Sequence, residues 1–447
     1  MKRNINKLCI LIAFLMSFCN ISKAQYDVYF TDQQLRIDYY IFGNSDSCHY
    51  ALDKYVAEPK WGGTRSNLID SLNYGDYLFE VMLHDSDVVI YSRGYCNLFG
   101  EWQTTAEAES VTRGFNESVI MPYPKIIVDV VFYIKDYNGQ LVEKMRLTVD
   151  PENYFIHEAN RHPHSIFNVH GDYAPEKAVD IVILPDGYTA EEMGKFVKDC
   201  EFFRESLFSY EPYITYKDKF NIRAVMAPSK DSGVSIPGED IWKNTAVNCS
   251  FYTFDSERYQ MVEDYQRVLD IAANVPYEII YILTNSQKYG GGGIYNLYGM
   301  SAANIPGAST RKTYSHEFGH LFVGLADEYV GGTEMSDLYF PGVEPWEANI
   351  TTITNLDSKA WGELLPEVNR EKATDHTGWE LNPQNLESPD YNPKKPWPLG
   401  IYEGGGYLQQ GVYRPWPNCM MNWFHRIDVY CPVCVEEIKR VIELYTK

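Results

Sequence analysis

Two histidines and a glutamate within five residues have the types and the spacing for metal chemistry. His316, Glu317 and His320 form the pattern His-Glu-x-x-His. Residues four apart lie on one face of a helix, so both imidazoles can direct a ring nitrogen to one ion while Glu317 holds a water bound to it. Only ten of the 447 residues are histidines, so the pattern rarely arises by chance. It predicts a catalytic zinc site; the alternative is a buried amphipathic helix whose histidines are satisfied by hydrogen bonds.

A third protein ligand is expected shortly after the second histidine. A catalytic zinc keeps three protein ligands and leaves one position to water, whereas a structural zinc closes its shell with four. Gly324 can adopt a positive φ and end the helix, and Asp327 follows three residues later. A chain that turns back there can bring Asp327 to the metal. We therefore predict Asp327 as the ligand, with Glu328 as its competitor and a solvated acid after the helix end as the alternative.

The longer string around these residues resembles a known peptidase family. His-Glu-x-x-His followed by glycine and an acid is similar to the metzincin clan of zinc endopeptidases. The string HEFGHxFxGLADEY resembles the bacterial family named after an IgA-cleaving metallopeptidase, number sixty-four among metallopeptidase families. In the usual metzincin spacing the glycine lies seven residues and the third ligand ten residues after the first histidine, whereas here they lie at eight and eleven. The resemblance implies aspartate as the third ligand, but the extra residue leaves Asp327 against Glu328 open.

Residues 1–24 have the pattern of a secretory signal. Three basic residues precede an apolar run at 8–18, and small residues occupy the positions that a signal peptidase reads. The run is too short to span a bilayer, and no later stretch approaches the required length of about 20 apolar residues. We therefore expect a secreted or periplasmic protein without a membrane span, with association at the cell surface left open.

The net charge limits the classes of partner. The chain has 61 acidic and 39 basic residues, which gives a formal charge of -22. Such a chain is not attracted electrostatically to nucleic acid or to anionic membranes. We expect a protein or peptide substrate, and the resemblance adds host glycoproteins and immunoglobulins as candidates.

Residues 25–155 are predicted to form an antiparallel β-sandwich. Residues 77–84 alternate with one apolar face, and residues 126–135 join 141–149 through Asn138-Gly139, which is a strong hairpin signal. No helical period of useful length interrupts them. The resemblance also implies such a domain ahead of the peptidase. Its expected role is structural support, with substrate or glycan binding as the alternative.

The rest of the chain is predicted to form an α/β zinc peptidase domain. Residues 156–177 have the composition of a linker, and residues 178–447 then begin with alternating strands and helices. The predicted elements are strand 179–184, a helix begun by the capping box Thr189 and Glu192, strand 220–227, helix 256–274 and strand 278–284. The predicted fold class is therefore α+β multidomain, with the β-sandwich followed by a metzincin-like domain, and the metzincin part of this statement rests on the resemblance.

Two later segments are expected to complete the cleft. Residues 290–293 are four glycines, read as a flexible rim leading into a sheet edge that can bind an extended peptide by strand addition. The resemblance to metzincins implies a methionine turn beneath the zinc. Cys419-x-Met421 resembles the turn of the family, which selects Met421 over Met420. The alternative is that both methionines fill the core.

Seven cysteines lie outside residues 1–24, so they cannot all pair. Cys431 and Cys434 have the spacing of half a zinc knuckle, but no second pair with that spacing exists. In an exported chain, we predict instead a disulfide from Cys419 to Cys431 or to Cys434, which would join the methionine turn to the terminal helix.

These residues together predict a secreted zinc-dependent endopeptidase. Zinc held by His316, His320 and Asp327 would lower the pKa of its bound water and polarise the scissile carbonyl, and Glu317 would act as the general base. The alternative is a non-catalytic surface protein that binds a glycan or a protein and uses the zinc domain as a scaffold. The intact Glu317 argues against this alternative, because a binding protein has no need of a base.

Overall fold

The computed structural model describes residues 25–159, 163–305, 309–331, 338–353, 364, 399–417, 419–422 and 429–447. The predicted signal at residues 1–24 lies outside them. In the N-terminal part the strands are β1 (Phe30–Asn44), β2 (Ser47–Glu58), β3 (Tyr77–Leu83), β4 (Val89–Tyr95), β5 (Arg113–Pro124), β6 (Val128–Lys135), β7 (Leu141–Val149) and β8 (His157–Glu158). The later strands are β9 (Ser165–His170), β10 (Val179–Asp186), β11 (Phe220–Met226), β12 (Ile279–Thr284), β13 (Gly291–Gly293), β14 (Gly299–Ala302), β15 (Tyr402–Gly405) and β16 (Leu408–Arg414). The helices are α1 (Leu98–Gln103), α2 (Met193–Leu207), α3 (Tyr265–Ala272), α4 (Ser309–Val323) and α5 (Pro432–Thr446).

The N-terminal domain is rich in β-structure. Its two four-stranded sheets have the orders β5-β1-β2-β8 and β4-β3-β6-β7. The hairpin of β6 and β7 forms as predicted, with Gly139 at a φ of 75° in its turn. The sheets meet through aromatic side chains: the rings of Tyr39 and Phe132 lie 5.2 Å apart, and the hydroxyls of Tyr39 and Tyr95 lie 2.9 Å apart. Burial of these apolar faces holds the two sheets together.

A six-stranded sheet of order β13-β14-β12-β10-β11-β9 forms the centre of the following part. Its four inner strands are parallel, and the edge strands β13 and β9 are antiparallel to their neighbours. Every residue of β10 and β12 is buried, as expected for parallel strands covered on both faces. The chain is therefore a mixed α/β protein with several sheets.

Helices α2 and α4 cover one face of this sheet. The ring of Phe203 on α2 lies 4.5 Å from that of Tyr281 on β12 and 6.3 Å from that of Phe318 on α4. Helix α2 follows a single 3-10 turn in which Thr189 and Glu192 form the predicted capping box. Aromatic packing thus fixes the orientation of α4 on the sheet.

The N-terminal domain packs directly against helix α3. Arg36 of β1 is buried and forms ion pairs with Asp38 at 2.8 Å, with Glu58 at 3.3 Å and with Asp270 of α3 at 2.7 Å. The segment predicted as a linker contributes β8 to the N-terminal sheet and β9 to the six-stranded sheet. The proposed division at residues 155 and 178 stays a prediction.

The helix predicted at residues 256–274 is shorter in the structure, where α3 begins at Tyr265. Asp264 caps α3 by accepting a hydrogen bond from the Arg267 N–H at 3.3 Å. The residues before the cap are held in bridges instead, Met261 to Ser250 and Tyr259 to Gly291. These non-local pairings take precedence over the local apolar spacing. None of the described helices is both long and apolar enough to cross a membrane.

Candidate metal centre and active site

The chain reverses direction at Gly324, directly after helix α4. Gly324 has a φ of 68°, and its N–H donates to His320 O at 3.0 Å. A Cβ at this position would lie 2.5 Å from the ring of Trp346, so both the backbone conformation and the space require glycine. The turn brings the following residues back beside the last turn of the helix.

Three side-chain donors converge at this point. His316 Nε2 and His320 Nε2 lie 3.1 Å apart. Asp327 Oδ1 lies 3.0 Å from the first and 3.4 Å from the second. Glu317 belongs to the same group, because its carboxylate and the ligand atoms of both histidines all lie within 4.8 Å of one another. The structure therefore brings together His316, Glu317, His320 and Asp327.

The other ring nitrogens explain why these donors fit a metal ion. His316 Nδ1 lies 3.0 Å from Met420 O, and His320 Nδ1 lies 2.5 Å from Leu325 O. A carbonyl oxygen only accepts, so each Nδ1 donates and each Nε2 presents a lone pair in the neutral ring. Two lone pairs and a carboxylate repel one another unless a cation lies between them. Carbonyls that orient metal-binding imidazoles in this way are a regular feature of such sites.

The pKa shifts of these four side chains reflect how closely they are packed together. Burial favours the neutral imidazole, yet the nearby Asp327 raises the pKa of His320 to about 9 and also raises that of His316. Burial opposes ionisation of Asp327, but His320 and His316 hold the pKa of this carboxyl well below its usual range. Burial raises the pKa of Glu317. The pocket therefore stabilises a positive charge between the histidines and Asp327.

The methionine pair lies beneath α4. Met420 and Met421 are fully buried. Met420 supplies the carbonyl that accepts from His316, and a Cβ added to Gly319 would lie 2.8 Å from Met421 Sδ. Met421 therefore packs against the helix one residue before His320. Its role as the methionine turn stays a prediction.

The glycine run forms the edge strand β13 beside helix α4. Strand β13 is an edge strand of the six-stranded sheet. A Cβ on Gly293 would lie 2.4 Å from Glu317 O, and one on Gly291 would lie 3.3 Å from Glu317 Cγ. Only a strand without side chains can approach the helix this closely.

Two residues near the site were missed by the sequence analysis. The Tyr407 hydroxyl donates a hydrogen bond to Asp327 Oδ2. Glu101, on α1 of the N-terminal domain, accepts from the Tyr259 hydroxyl. Burial raises the pKa of Glu101 to about 8, with His320 acting to lower it and Glu317 to raise it. No local signal marks either residue, because each reaches the site only through the tertiary fold.

Glu328, the competing ligand, points away from the histidines. It is fully buried, and its Oε1 lies 3.0 Å from Asn349 Nδ2 and 3.3 Å from Cys434 Sγ. The predicted disulfide of Cys419 is absent from the structure: all three cysteines are free, and Cys419 Sγ lies 3.7 Å from Cys434 Sγ. The prediction considered pairs, whereas the fold gathers three thiols around one carboxylate. We call Glu328, Cys419, Cys431 and Cys434 the thiol cluster.

Comparison with known families covers both parts of the chain. Residues 169–385 match the family model described as IgA Peptidase M64, and residues 25–146 match the model described as Peptidase M64 N-terminus. The first match includes α4 and Asp327, whereas Met421 and α5 follow it in the sequence. None of the curated proteins matches the chain.

Proposed function

The chain belongs to the IgA Peptidase M64 family, and from this premise we propose that it is a secreted zinc-dependent endopeptidase. The observation that carries the proposal is the convergence of three donors, His316 Nε2, His320 Nε2 and Asp327 Oδ1, within 3.4 Å of one another. Membership of a peptidase family makes a peptide bond the expected target.

Zinc is the metal that this donor set suits best. Two imidazoles and one carboxylate are a regular ligand set of catalytic zinc, which leaves the fourth position open for water or substrate. A zinc ion bound there supplies Lewis acidity, which polarises the scissile carbonyl and makes an attacking water more acidic. His316 and His320 hold their orientation through the carbonyls of Met420 and Leu325, so the site needs little rearrangement to bind the ion.

Glu317 moves the proton in this proposal. A carboxylate oxygen of Glu317 lies within 4.8 Å of the ligand atoms of both histidines, whereas Asp327 Oδ1 lies 3.0 Å from His316 Nε2. It accepts a proton from the attacking water at a carboxylate oxygen, and the same oxygen later donates that proton to the leaving amine. Both steps require Glu317 beside the reacting carbonyl, which its position next to His316 on α4 provides.

The substrate is proposed to bind as an extended peptide along β13. This strand is the edge of the six-stranded sheet and runs beside Glu317, so a peptide that adds to it would pass in front of the donors. Host glycoproteins and immunoglobulins are candidate substrates. The family description names IgA, and this chain's own substrate is the outcome of the experiment below.

The test compares the wild type with Glu317→Gln on an unbiased peptide library, with zinc content measured on the same samples. Loss of the carboxylate should lower the cleavage rate by about 10² to 10⁴-fold while zinc stays bound. Glu211→Gln, which changes an exposed glutamate outside the site, is the matched control and should cleave like the wild type. Full cleavage by Glu317→Gln would refute the mechanism. Zinc binding without cleavage by any variant would favour the non-catalytic binding protein.

Export is tested separately. The chain expressed with residues 1–24 should be recovered outside the cytoplasm with a new N-terminus after residue 24, as read by mass spectrometry. Recovery of the uncleaved chain in the cytoplasm of the native host would contradict a secreted enzyme without affecting the peptidase proposal.

A further inference from the structure

The thiol cluster lies behind the candidate active site and has no role in the proposed reaction. Its four residues come from three segments: Glu328 follows Asp327, Cys419 precedes the methionine pair, and Cys431 and Cys434 stand at the start of α5. All four are fully buried, and one ligand atom from each lies within 4.8 Å of the others. Four such groups seldom meet in a core unless a cation joins them.

We propose that Glu328, Cys419, Cys431 and Cys434 bind a second, structural metal ion, of the thiol-preferring divalent class and with Zn²⁺ as the expected ion. Three thiolates and one carboxylate give four protein ligands, which is the closed shell of a structural zinc site. The inference goes beyond the peptidase activity, which involves only the histidine site.

The distances agree with a tetrahedral shell. With Zn–S bonds of about 2.3 Å and a Zn–O bond of about 2.1 Å, a tetrahedron places sulfurs about 3.8 Å apart and a sulfur about 3.6 Å from the oxygen. Cys419 Sγ lies 3.7 Å from Cys434 Sγ. Glu328 Oε1 lies 3.3 Å from Cys434 Sγ and 3.9 Å from Cys431 Sγ. The side chains are therefore already near ligand positions.

The backbone around the sulfurs favours thiolates. The Cys431 N–H donates to Cys419 Sγ at 3.3 Å, and the Cys434 N–H donates to Cys431 Sγ at 3.4 Å. Cys431 is the N-cap of α5, so the positive end of the helix dipole adds to these donors. Amide hydrogen bonds to sulfur leave the outward lone pairs free for a metal.

A disulfide accounts for the same residues less well. Any one disulfide among three cysteines leaves a third thiol and the Glu328 carboxylate buried together. Asn349 donates to Glu328 Oε1, but within the part of the chain that the structure describes no hydrogen-bond donor reaches Glu328 Oε2. The buried Arg414 interacts electrostatically with Glu328 and supplies one positive charge to a cluster of four anionic ligands. A divalent ion would compensate most of the negative charge that Arg414 leaves.

The second ion would position the first site. Met420, next to Cys419, supplies the carbonyl that orients His316, and the Glu328 N–H donates to Met421 O at 2.8 Å. A metal joining Cys419 and Glu328 would fix both of these backbone segments relative to α5. The thiol-cluster residues are therefore positioning residues and touch no substrate.

The test measures metal content and metal coordination in the full chain supplied with Zn²⁺ alone. The wild type should hold about two ions per chain and the double variant His316→Ala/His320→Ala about one, whose X-ray absorption fits sulfur neighbours at about 2.3 Å. Cys431→Ser should lose the sulfur-bound ion. Cys200→Ala, which removes a fully buried thiol outside the cluster, should keep both ions.

The decisive sample is the histidine double variant, because it leaves the thiol cluster intact even if cysteine variants fail to fold. No bound zinc in this folded variant, or bound zinc without sulfur neighbours, overturns the proposal. So does a disulfide among Cys419, Cys431 and Cys434 in the wild type, detected by mass spectrometry after alkylation. A sulfur-bound ion in a protein that cleaves nothing would uphold this site and reject the peptidase mechanism, so the two proposals can fail separately.

Discussion

The structure contains two neighbouring clusters of possible metal ligands, the histidine site and the thiol cluster. Of the adjacent residues Asp327 and Glu328, the first belongs to the histidine site and the second to the thiol cluster. The histidine site has three converging donors, and 17% of the His320 side chain is exposed. The thiol cluster has four donors, all at 0% exposure. An open site with three ligands suits a reaction, whereas a closed site with four suits a structural role. The number and the exposure of the candidate ligands, more than their proximity in sequence, distinguish the two clusters.

The two clusters are also mechanically connected. Met420 O accepts from His316, while Met421 O accepts from the Glu328 N–H. The same short turn therefore contacts the histidine site through one carbonyl and the thiol cluster through the next. We therefore expect changes to the histidine site to alter metal binding and cleavage there and to leave the thiol cluster intact, whereas changes to the thiol cluster should affect both sites.

The largest expected effect is that of His316→Ala. The variant loses one of three ligands, so the histidine site should lose its zinc and cleavage should become unmeasurable. The cysteines of the thiol cluster should remain as slow to react with a thiol reagent as in the wild type, because their burial does not depend on His316. Peptide cleavage and thiol labelling under native conditions measure the two effects.

The control for this variant is His49→Ala, which removes an exposed imidazole on β2 and should change neither quantity. Retained cleavage in His316→Ala would remove the histidine site from the mechanism. Rapid labelling of Cys419 or Cys434 in His316→Ala would show that the thiol cluster depends on an intact histidine site.

The adjacent acids give a matched pair. Asp327→Asn keeps the shape of the side chain but removes its charge, and it should weaken zinc binding at the histidine site by more than about 100-fold, beyond the effect of losing an outer hydrogen bond. Glu328→Gln should leave that affinity much closer to the wild type, because Glu328 points to the cysteines. Competition with a chelator measures both affinities. A larger loss of zinc affinity in Glu328→Gln than in Asp327→Asn would make Glu328 the third ligand.

Features that depend on local chemistry could be predicted from the sequence. The turn at Gly139, the capping box of Thr189 and Glu192, and the helix carrying His316 and His320 depend on neighbours within a few residues, and the structure contains all of them. The roles assigned to the site residues stay predictions. The early start assigned to α3 was wrong because bridges to distant residues hold the preceding segment.

The thiol cluster shows where such reasoning ends. Cys431 and Cys434 have the spacing of half a zinc knuckle, but the sequence has no second cysteine pair with that spacing and therefore favoured a disulfide to Cys419. The fold supplies instead the cysteine that precedes Met420 and a glutamate that lies 103 residues before Cys431. Glu101 comes close to the histidine site in the same way, through packing of the N-terminal domain. No periodicity or spacing encodes such contacts, because they depend on how whole layers pack.

A smaller effect is expected for Tyr407→Phe. The hydroxyl of Tyr407 donates to Asp327 Oδ2, the oxygen that does not face the histidines. Loss of a donor that orients a metal ligand typically costs about 10 to 100-fold in metal affinity or activity. Chelator competition and cleavage rate at saturating zinc separate these two contributions. Tyr413→Phe on β16 is the control, and an equal loss in both variants would indicate a general defect of the hairpin.

The smallest expected effect is that of Met421→Leu, which preserves side-chain volume in the packing between the two clusters. Volume-conserving changes in a core usually cost less than about 1.5 kcal/mol, and Met421 packs against Gly319 on the helix that carries the histidines. We expect a cleavage rate within about tenfold of the wild type, since a tenfold change corresponds to about 1.4 kcal/mol. Met420→Leu should lower thermal stability by a similar amount but change cleavage less, because Met420 acts on His316 through its backbone carbonyl, which the substitution retains. A larger loss of cleavage in Met420→Leu than in Met421→Leu would indicate that the side chain of Met420, and not that of Met421, supports the histidine site.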